Sequence, residues 1–445
     1  MTIDMLPDDV LLCVFYLVRP DYDRLWDLSW WQPVVHVCRR WRGLVFASPN
    51  FLELRLVCDP WIRAGLTAIW PPIPIIIWNL ANDADRAMPE DYDLDAAIVH
   101  PNRVCEIHLQ FASSQLQQLA SVMEKPFPGL VHLALETFRD SPPALTLPDG
   151  FLGSSAPRLK SLELNRIPFP VLPNLLLSAT DLVSLTLQDV PHSGYILPEV
   201  FVAHLAMLTN LESLDIDFEY FLSHPSRRPY PTRTVLPALT CFQFRGISNY
   251  LEDLVARIDA PLLESISITF CHFLISDIPH LTQFVRRTTR IQTLIQPLKE
   301  AHVDFHYYGL VVRSLPLPWI PDETSGLTIS CVETGWQFSS LAQVFVSLLP
   351  SIFMAERLYI HGTANILPQD AEDMQLLELT PAFATVTNLY VPVEFAEFFA
   401  PILQERVGET EADVLPALES LCLEGLQPSE PSGKLWASSL LHDSL

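Results

Sequence analysis

The nine residues APRLKSLEL, at positions 156–164, hold a pattern that recurs along most of the chain. An apolar residue is followed by two variable positions, a second apolar residue, one variable position and a third apolar residue. Related stretches are LPALTCFQF from 236, APLLESISI from 260 and LPALESLCL from 415. Seven copies precede residue 269, and they are Val104-Ile107-Leu109, Leu130-Leu133-Leu135, Leu159-Leu162-Leu164, Leu182-Leu185-Leu187, Leu211-Leu214-Ile216, Leu239-Phe242-Phe244 and Leu263-Ile266-Ile268.

The spacing of these copies identifies a repeat architecture. Successive copies begin 26, 29, 23, 29, 28 and 24 residues apart, which is the period of leucine-rich repeats. Each repeat supplies a short strand whose alternate side chains enter a shared core, and one repeat cannot bury that side alone. We therefore predict an α/β leucine-rich-repeat solenoid over residues 101–425, with a curved parallel sheet and convex helical pieces near 116–123, 199–208, 251–258 and 281–287.

The repeat pattern weakens at both ends of the solenoid. After Ile291 it returns at wider spacing, and residues 297–321 hold either a degenerate repeat around 303–305 or an inserted loop. Residues 50–100 are predicted to be a linker with irregular strands at 51–59 and 73–78, followed by an acidic loop. Residues 426–445 are predicted to be a C-terminal tail. The later copies are Leu327-Ile329, Leu358-Ile360, Leu389-Val391 and Leu418-Leu421-Leu423.

Residues that alternate with the core positions are expected to line one polar, concave surface. Leucine-rich horseshoes use that surface to bind partners, although any such array has a polar face whether or not something binds. Two arginine groups, Arg227-Arg228-Arg233 and Arg286-Arg287-Arg290, are either solvated or hold an acidic partner. The candidate residues for binding an unknown protein substrate are Glu163, Asn165, Gln188, Asp215, Asp217, Gln243, Arg245, Arg357, Tyr359 and His361.

Composition excludes several classes of function. Lys plus Arg number 27 against 52 Asp plus Glu, a net charge of −25, and such a chain repels nucleic acid. The eight cysteines are scattered without a C-x-x-C pair, which disfavours zinc or a disulfide framework and favours a reducing compartment. No apolar run reaches the 18 or so residues of a membrane span. We expect no membrane partner and a cytoplasmic or nuclear location.

No motif for catalysis is present in the sequence. Gly-x-Gly-x-x-Gly, phosphate-loop and nucleophile-elbow patterns are missing. We therefore expect no enzymatic activity, no catalytic residue, no metal and no cofactor. A site hidden in the irregular residues 297–326 is the alternative that the sequence leaves open.

The amino terminus carries two further apolar stretches, LPDDVLLCVFYLV at 6–18 and PVVHVCRRWRGLVF at 33–46. Pro7 and two aspartates suit a helix start, and the helix is then apolar at every position from Val10 to Val18. Such a helix needs cover on two sides. A second helix is predicted from Pro33 to Ser48-Pro49, with one apolar face and three solvated arginines; the face is formed by Val34, Val37, Cys38, Trp41 and Val45.

These two stretches together resemble the F-box, the helical module that docks onto the Skp-type adaptor of cullin-RING ubiquitin ligases. The opening Leu-Pro and the later Val-Cys-Arg-Arg-Trp-Arg occur in the F-box order, although the connection at 19–32 is longer than usual and leaves the middle helix undefined. The resemblance covers residues 1–49 as a small all-α domain. It implies adaptor contacts at Leu6, Pro7, Val10, Leu11, Val14, Phe15, Val37, Cys38 and Trp41.

The combination of F-box and repeats implies a substrate receptor. The amino-terminal helices would bind the adaptor and through it the cullin scaffold, while the repeat face would hold a target protein. The alternatives are a repeat scaffold without a ubiquitin-ligase role and a helical cap that shields the end of the repeats. A secretory signal peptide is disfavoured because the segment before the apolar run is acidic.

Overall fold

A computed structural model describes the chain in two compact units, Met1–Ile196 and Leu197–Leu445. The predicted loop at 82–95 and the predicted tail at 426–445 lie outside the described residues. The described residues are 5–18, 30–49, 51–58, 73–79, 101–112, 119–121, 123–138, 146–169, 172–218, 233–271, 278–288, 300–306, 309–313, 326–331, 355–361, 385–393 and 417–424.

Three helices lie in the described residues at the start of the first unit, 5–18 and 30–49. The predicted first helix begins directly after Pro7, as expected. The single helix predicted from Pro33 is wrong, because the chain is extended at Cys38, with φ −156° and ψ 169°. The Cys38 Sγ instead accepts the backbone N–H of Trp41 at 3.4 Å and caps the next helix. The helices are α1 (Asp8–Val18), α2 (Trp31–Val37) and α3 (Arg39–Ala47).

A small core and one charged link hold α1 against α3. The rings of Phe15 and Trp41 meet edge to face with their centroids 4.8 Å apart, an arrangement that aromatic pairs prefer. Arg40, predicted to be solvated, is exposed but donates to the Asp8 carboxylate and to the carbonyl of Leu6, each at 2.6 Å. This link fixes the beginning of α1.

Six parallel strands form the described sheet of the first unit. Leu133, Leu162 and Leu185 lie side by side in register, and all three are buried. The repeat prediction is confirmed here as a parallel sheet with one buried face. The strands are β1 (Leu56–Cys58), β2 (Ile75–Asn79), β3 (Val104–Phe111), β4 (His132–Thr137), β5 (Ser161–Asn165) and β6 (Ser184–Val190).

The first predicted strand is shorter than its alternating pattern suggested. Residues 51–53 form a turn in which Glu53 has a φ of +49°, a left-handed conformation. Leu52 and Leu54 are nevertheless fully buried. Alternation therefore predicted the burial of these leucines and misplaced the start of the strand, which begins at Leu56.

The second unit contains a nine-stranded sheet and a separate two-stranded one in its described residues. Leu214, Phe242 and Ile266 continue the buried row of the repeats in parallel register. The strands are β7 (Ser213–Phe218), β8 (Thr234–Val235), β9 (Cys241–Gly246), β10 (Ile258–Asp259), β11 (Ser265–Phe270), β12 (Glu300–His306), β13 (Gly309–Arg313), β14 (Gly326–Cys331), β15 (Arg357–His361), β16 (Asn388–Pro392) and β17 (Ser420–Glu424).

An antiparallel hairpin interrupts the parallel order of this sheet. The strands lie in the order β7-β9-β11-β14-β13-β12-β15-β16-β17, and β13 is antiparallel to both of its neighbours. Antiparallel strands can be joined by a short turn, whereas parallel ones need a crossover. Of the two sequence interpretations of residues 297–321, the degenerate repeat around 303–305 is the nearer, because β12 covers these residues and pairs parallel with the repeat strand β15. Neither interpretation included the antiparallel strand β13. Among the strands that the structure describes, β8 and β10 pair only with each other.

Helices occupy the segments between strands, close to the predicted places. The amides of His280 and Leu281, at the start of the last helix, donate to the Glu252 carboxylate at 3.0 and 2.8 Å. Around the predicted helix at 116–123, residues 119–121 are helical, and residues 116–118 and 122 lie outside the description. The curvature of the solenoid stays a prediction. The helices are α4 (Leu172–Leu176), α5 (Pro198–Leu205), α6 (Ser248–Val255) and α7 (Pro279–Arg287).

Candidate protein-interaction surfaces

One face of α1 is apolar and exposed. Val10, Val14, Leu17 and Val18 are spaced by four, seven and eight residues, so they share a face of the helix. Leu17 is 80% exposed and Val18 is 63% exposed. We call these four residues the α1 apolar face. Burial of an exposed Leu or Val contributes about 1.5–3 kcal/mol, so the face is a strong candidate for contact with another surface.

The predicted adaptor-binding residues divide into two groups. Pro7, Val10, Val14 and Val37 are exposed, and Val37 is 60% exposed at the end of α2. The others are buried or half-buried, so they support the exposed group from beneath; they are Leu6, Leu11, Phe15, Cys38 and Trp41.

Sequence reasoning missed Leu17 and Val18 as surface residues. The signal was present, because a helix that is apolar at every position from Val10 to Val18 has more apolar surface than one core can cover. The F-box resemblance selected residues by motif position, and Leu17 and Val18 lie beyond Phe15, the last residue of this helix to which it assigns an adaptor contact.

In the first unit, polar side chains of neighbouring strands meet on the exposed face of the sheet. Asn165 Nδ2 lies 3.4 Å from the Glu136 carboxylate and 3.5 Å from the Gln188 side-chain oxygen. These three residues come from β4, β5 and β6 in register. Glu163 is exposed two residues before Asn165. The predicted Glu163, Asn165 and Gln188 are therefore placed together.

A charged network closes the end of this row. Arg166 lies between two acids, with its guanidinium 3.3 Å from Glu136 and 3.1 Å from Asp189. It also donates to the carbonyl of Thr137 at 2.8 Å. Arg166 and Asp189 have φ values of +57° and +47°, in the left-handed region. Holding a residue other than glycine in this conformation costs on the order of 1 kcal/mol or more of folding free energy. The network holds both strand ends in place.

A second polar group lies at the start of the same face. The Trp78 and His108 rings lie 4.5 Å apart, and His108 Nε2 is 3.7 Å from the Glu106 carboxylate. Burial raises the pKa of Glu106, but the hydrogen bond from His108 and the charges of His132 and His108 outweigh it and lower the pKa. Burial lowers the pKa of His132, against the attraction of Glu106.

In the second unit, the predicted residues of β7 and β9 are paired. Asp215 lies beside Gln243, and Asp217 beside Arg245 with 3.5 Å between carboxylate and guanidinium. Further along the sheet, the hydroxyls of Thr269 and Ser330 lie 2.8 Å apart. The Arg245 side chain is half exposed, so its weak ion pair leaves it accessible from the face.

The last strands carry a stacked row of rings, which we call the ring ladder and define as His302, Tyr359, Tyr390 and His361. Ring centroids lie 4.7 Å apart between His302 and Tyr359, and 4.3 Å apart between Tyr359 and Tyr390. His302 Nδ1 is 2.9 Å from His361 Nε2. The pairing of β12, β15 and β16 aligns the ladder. Burial raises the pKa of the Tyr390 phenol.

The ring ladder contains two residues that sequence reasoning missed. Arg357, Tyr359 and His361 were predicted, and Arg357 pairs with Glu300 at 2.7 Å. His302 and Tyr390 were not predicted. Tyr390 stands between Leu389 and Val391, at the outward position of its repeat, so the same alternation that selected Tyr359 indicates it.

Three further observations concern other kinds of site. Burial raises the pKa of the Cys105 thiol to about 11, so this cysteine is protonated and unreactive near neutral pH. No group of three or more His, Cys, Asp or Glu side chains within the described ranges is arranged to hold a metal ion. Among the helices in those ranges, none has the length and apolar content needed to cross a bilayer.

Comparison with known proteins finds similar chains among the solved structures. No family model matches the chain, and no curated protein matches it. A chain in a structure titled "Crystal structure of TLR13-ssRNA13 complex" aligns at 12% identity with a TM-score of 0.30. The alignment covers 74% of this chain and 40% of that chain. A TM-score this low does not establish a shared fold. The leucine-rich-repeat-like assignment depends instead on the period and register of the parallel strands.

Proposed function

We propose that this protein is an F-box substrate receptor, which joins a target protein to a Skp-type adaptor and a cullin-RING ubiquitin ligase. The observation that carries the proposal is the exposed α1 apolar face. It lies on the helix that begins with the F-box-like Leu-Pro and packs on the helix that bears the Arg-Arg-Trp-Arg segment. The chain performs no bond chemistry in this proposal.

The arrangement of the first three helices supports adaptor docking. Leu11 and Phe15 form the side of α1 that faces the protein, and Val10, Val14, Leu17 and Val18 form the other side. An apolar helix face laid into a groove is a common mode of protein recognition. The short helices α2 and α3 also supply a middle element that the sequence left undefined.

The outward faces of the two sheets support substrate binding. They present polar, charged and aromatic side chains from successive strands, and the ring ladder is the aromatic part. Tyrosine and arginine are enriched among residues that dominate binding energy, and the ladder places Tyr359 and Tyr390 next to Arg357. Holding a target there raises its effective concentration near the ubiquitin-charged enzyme.

The proposal is tested by measuring the binding of a purified Skp-type adaptor to the full chain by calorimetry. The wild-type chain is expected to bind. Leu17→Lys should weaken binding by about tenfold or more, because a charge replaces an apolar contact and each 1.4 kcal/mol or so equals a factor of ten.

The matched control is Leu177→Lys, since Leu177 is also an exposed leucine of the first unit. This variant is expected to bind the adaptor as the wild type does. Failure of the wild-type chain to bind would remove the ligase role, and equal binding by Leu17→Lys would remove the α1 apolar face from it.

The second candidate function is a protein-interaction scaffold without a ubiquitin-ligase link. The ring ladder supports the scaffold function as well as it supports the substrate-receptor function, because a target can bind there with no adaptor present. Capture of a target that depends on Tyr390, by a chain that binds no adaptor, would identify this function.

A further inference from the structure

Three arginines converge in the second unit of a strongly acidic chain. Arg233 and Arg257 directly precede the paired strands β8 and β10, and Arg287 lies at the end of α7. The amide of Thr234 donates to the Arg257 carbonyl at 2.8 Å, which brings the backbones of the first two together. We call Arg233, Arg257 and Arg287 the arginine cluster.

Two acids neutralise part of the cluster. Arg257 lies 3.4 Å from the Glu199 carboxylate, and Arg287 lies 2.5 Å from the Asp259 carboxylate. Burial lowers the pKa of Arg287; the charge of Asp259 opposes this effect and the charge of Arg233 adds to it. Arg287 is therefore held at β10 through Asp259, and β10 pairs with β8, which Arg233 directly precedes.

Arg233 is the accessible member of the cluster. It is exposed, and its Nε donates to the carbonyl of Ala256 at 3.3 Å. Within the described ranges no carboxylate forms an ion pair with it. This main-chain bond uses Nε, so the two terminal nitrogens of the guanidinium are the groups that would meet a ligand. Guanidinium groups bind carboxylates and phosphates through two parallel hydrogen bonds.

We propose that the arginine cluster binds an acidic peptide segment of a partner protein, through carboxylate or phosphate oxyanions. The net charge of −25 repels long polyanions such as nucleic acids. A short acidic segment needs only local contacts, which the exposed Arg233 can supply close to the ion-paired Arg257 and Arg287. This site is separate from the α1 apolar face and does not depend on a ubiquitin-ligase role.

The test uses two fluorescein-labelled probes in about 0.1 M salt, where charges beyond about 10 Å are largely screened. One probe is hexaglutamate, and the other is a Gly-Ser hexapeptide with two phosphoserines. Fluorescence anisotropy with the full chain is expected to show saturable binding of at least one probe, and the stronger probe identifies carboxylate or phosphate as the source of the oxyanion.

The variants distinguish binding at this site from a general effect of the protein's net charge. Arg233→Glu should weaken binding by about tenfold or more, while Arg233→Lys should have a smaller effect because the charge stays and the bidentate fork is lost. The matched control is Arg158→Glu, an equal charge change at an exposed arginine of the first unit. Thermal unfolding of each variant checks that it folds.

Three results would overturn the inference. One is that neither peptide binds to the wild-type chain. Another is that Arg233→Glu binds as tightly as Arg158→Glu. The last is that a single-stranded oligonucleotide or phosphatidylserine vesicles bind through Arg233 while both peptides fail.

Discussion

At the scale of single residues, His132 shows how the exposed face couples to pH. It is half-buried on β4, beside Glu106 of the neighbouring strand. Burial lowers its pKa below the ordinary value of 6.5. The unfolded chain therefore takes up a proton as the pH falls through about 6.5, whereas the folded chain does not. The folded state loses stability over that interval, and the loss stops growing below the folded pKa.

We predict that the first unit melts at a lower temperature at pH 5.5 than at pH 7.5, and that His132→Gln reduces the difference. The glutamine has no proton to gain on unfolding. Differential scanning calorimetry across this pH range measures the effect. The exposed His192 provides the control, and an unchanged slope in His132→Gln with a reduced slope in His192→Gln would contradict the argument.

Single residues also mark the limit of prediction from sequence. The buried leucines of the repeats were predicted because three apolar positions recur at a regular period. The helix break at Cys38 was not, because the spacing of Val34, Val37 and Trp41 continues through it. His302 was missed because the repeat suggested around 303–305 was too degenerate to identify the outward positions of its strand.

At the scale of elements, one carboxylate joins two helices of the second unit. Glu252 on α6 accepts the amides of His280 and Leu281, which would otherwise lack partners at the start of α7. A negative charge at a helix amino terminus also interacts favourably with the helix dipole. This link connects the helical segments of successive repeats from outside the sheet.

We predict that Glu252→Ala destabilises the second unit by about 1 kcal/mol, the usual cost of losing a helix cap. Urea unfolding followed by circular dichroism measures the change. Glu212→Ala, at an exposed glutamate of the same unit, should leave stability within about 0.5 kcal/mol of the wild type. Equal effects of the two substitutions would mean that the cap contributes nothing.

Prediction from sequence was good for parallel elements and poor for the hairpin. Each parallel strand shares the pattern of its neighbours, so the pattern alone pairs them. Strand β13 pairs antiparallel with β12 and β14, and no periodic pattern in the sequence identifies these partners. The charged residues of the candidate surfaces were predicted only as outward positions, and their pairing required the strand register.

At the scale of the whole molecule, repeats depend mainly on their immediate neighbours. Buried leucines of adjacent strands lie in register and cover one another. In such arrays stability is nearly a sum over repeats and the interfaces between them. Damage to one repeat is therefore expected to spread along the sheet over a short distance.

We predict that Leu162→Ala costs about 2–5 kcal/mol and exposes backbone amides of β4, β5 and β6 to exchange. The amides of β15, β16 and β17 should keep their protection. Hydrogen–deuterium exchange with mass spectrometry distinguishes the two groups. Glu163→Ala changes the exposed neighbour and should alter neither, and loss of protection in both groups after Leu162→Ala would refute a local response.

The reversed hairpin sets the order in which the second unit can assemble. Side chains that pair across neighbouring parallel strands are typically about 30 positions apart in the sequence, as Asp217 and Arg245 are at 28. Thr269 and Ser330, which pair across β11 and β14, are 61 positions apart. Doubling a loop adds roughly 0.6 kcal/mol of closure entropy, and distant pairings slow folding more than local ones. Strands β7, β9 and β11 can therefore pair with one another early, and so can strands β15, β16 and β17. The two seams that border the hairpin, between β11 and β14 and between β12 and β15, close late, because partners across the second, such as His302 and His361, are also far apart at 59 residues. A newly made chain stays vulnerable at these seams longest.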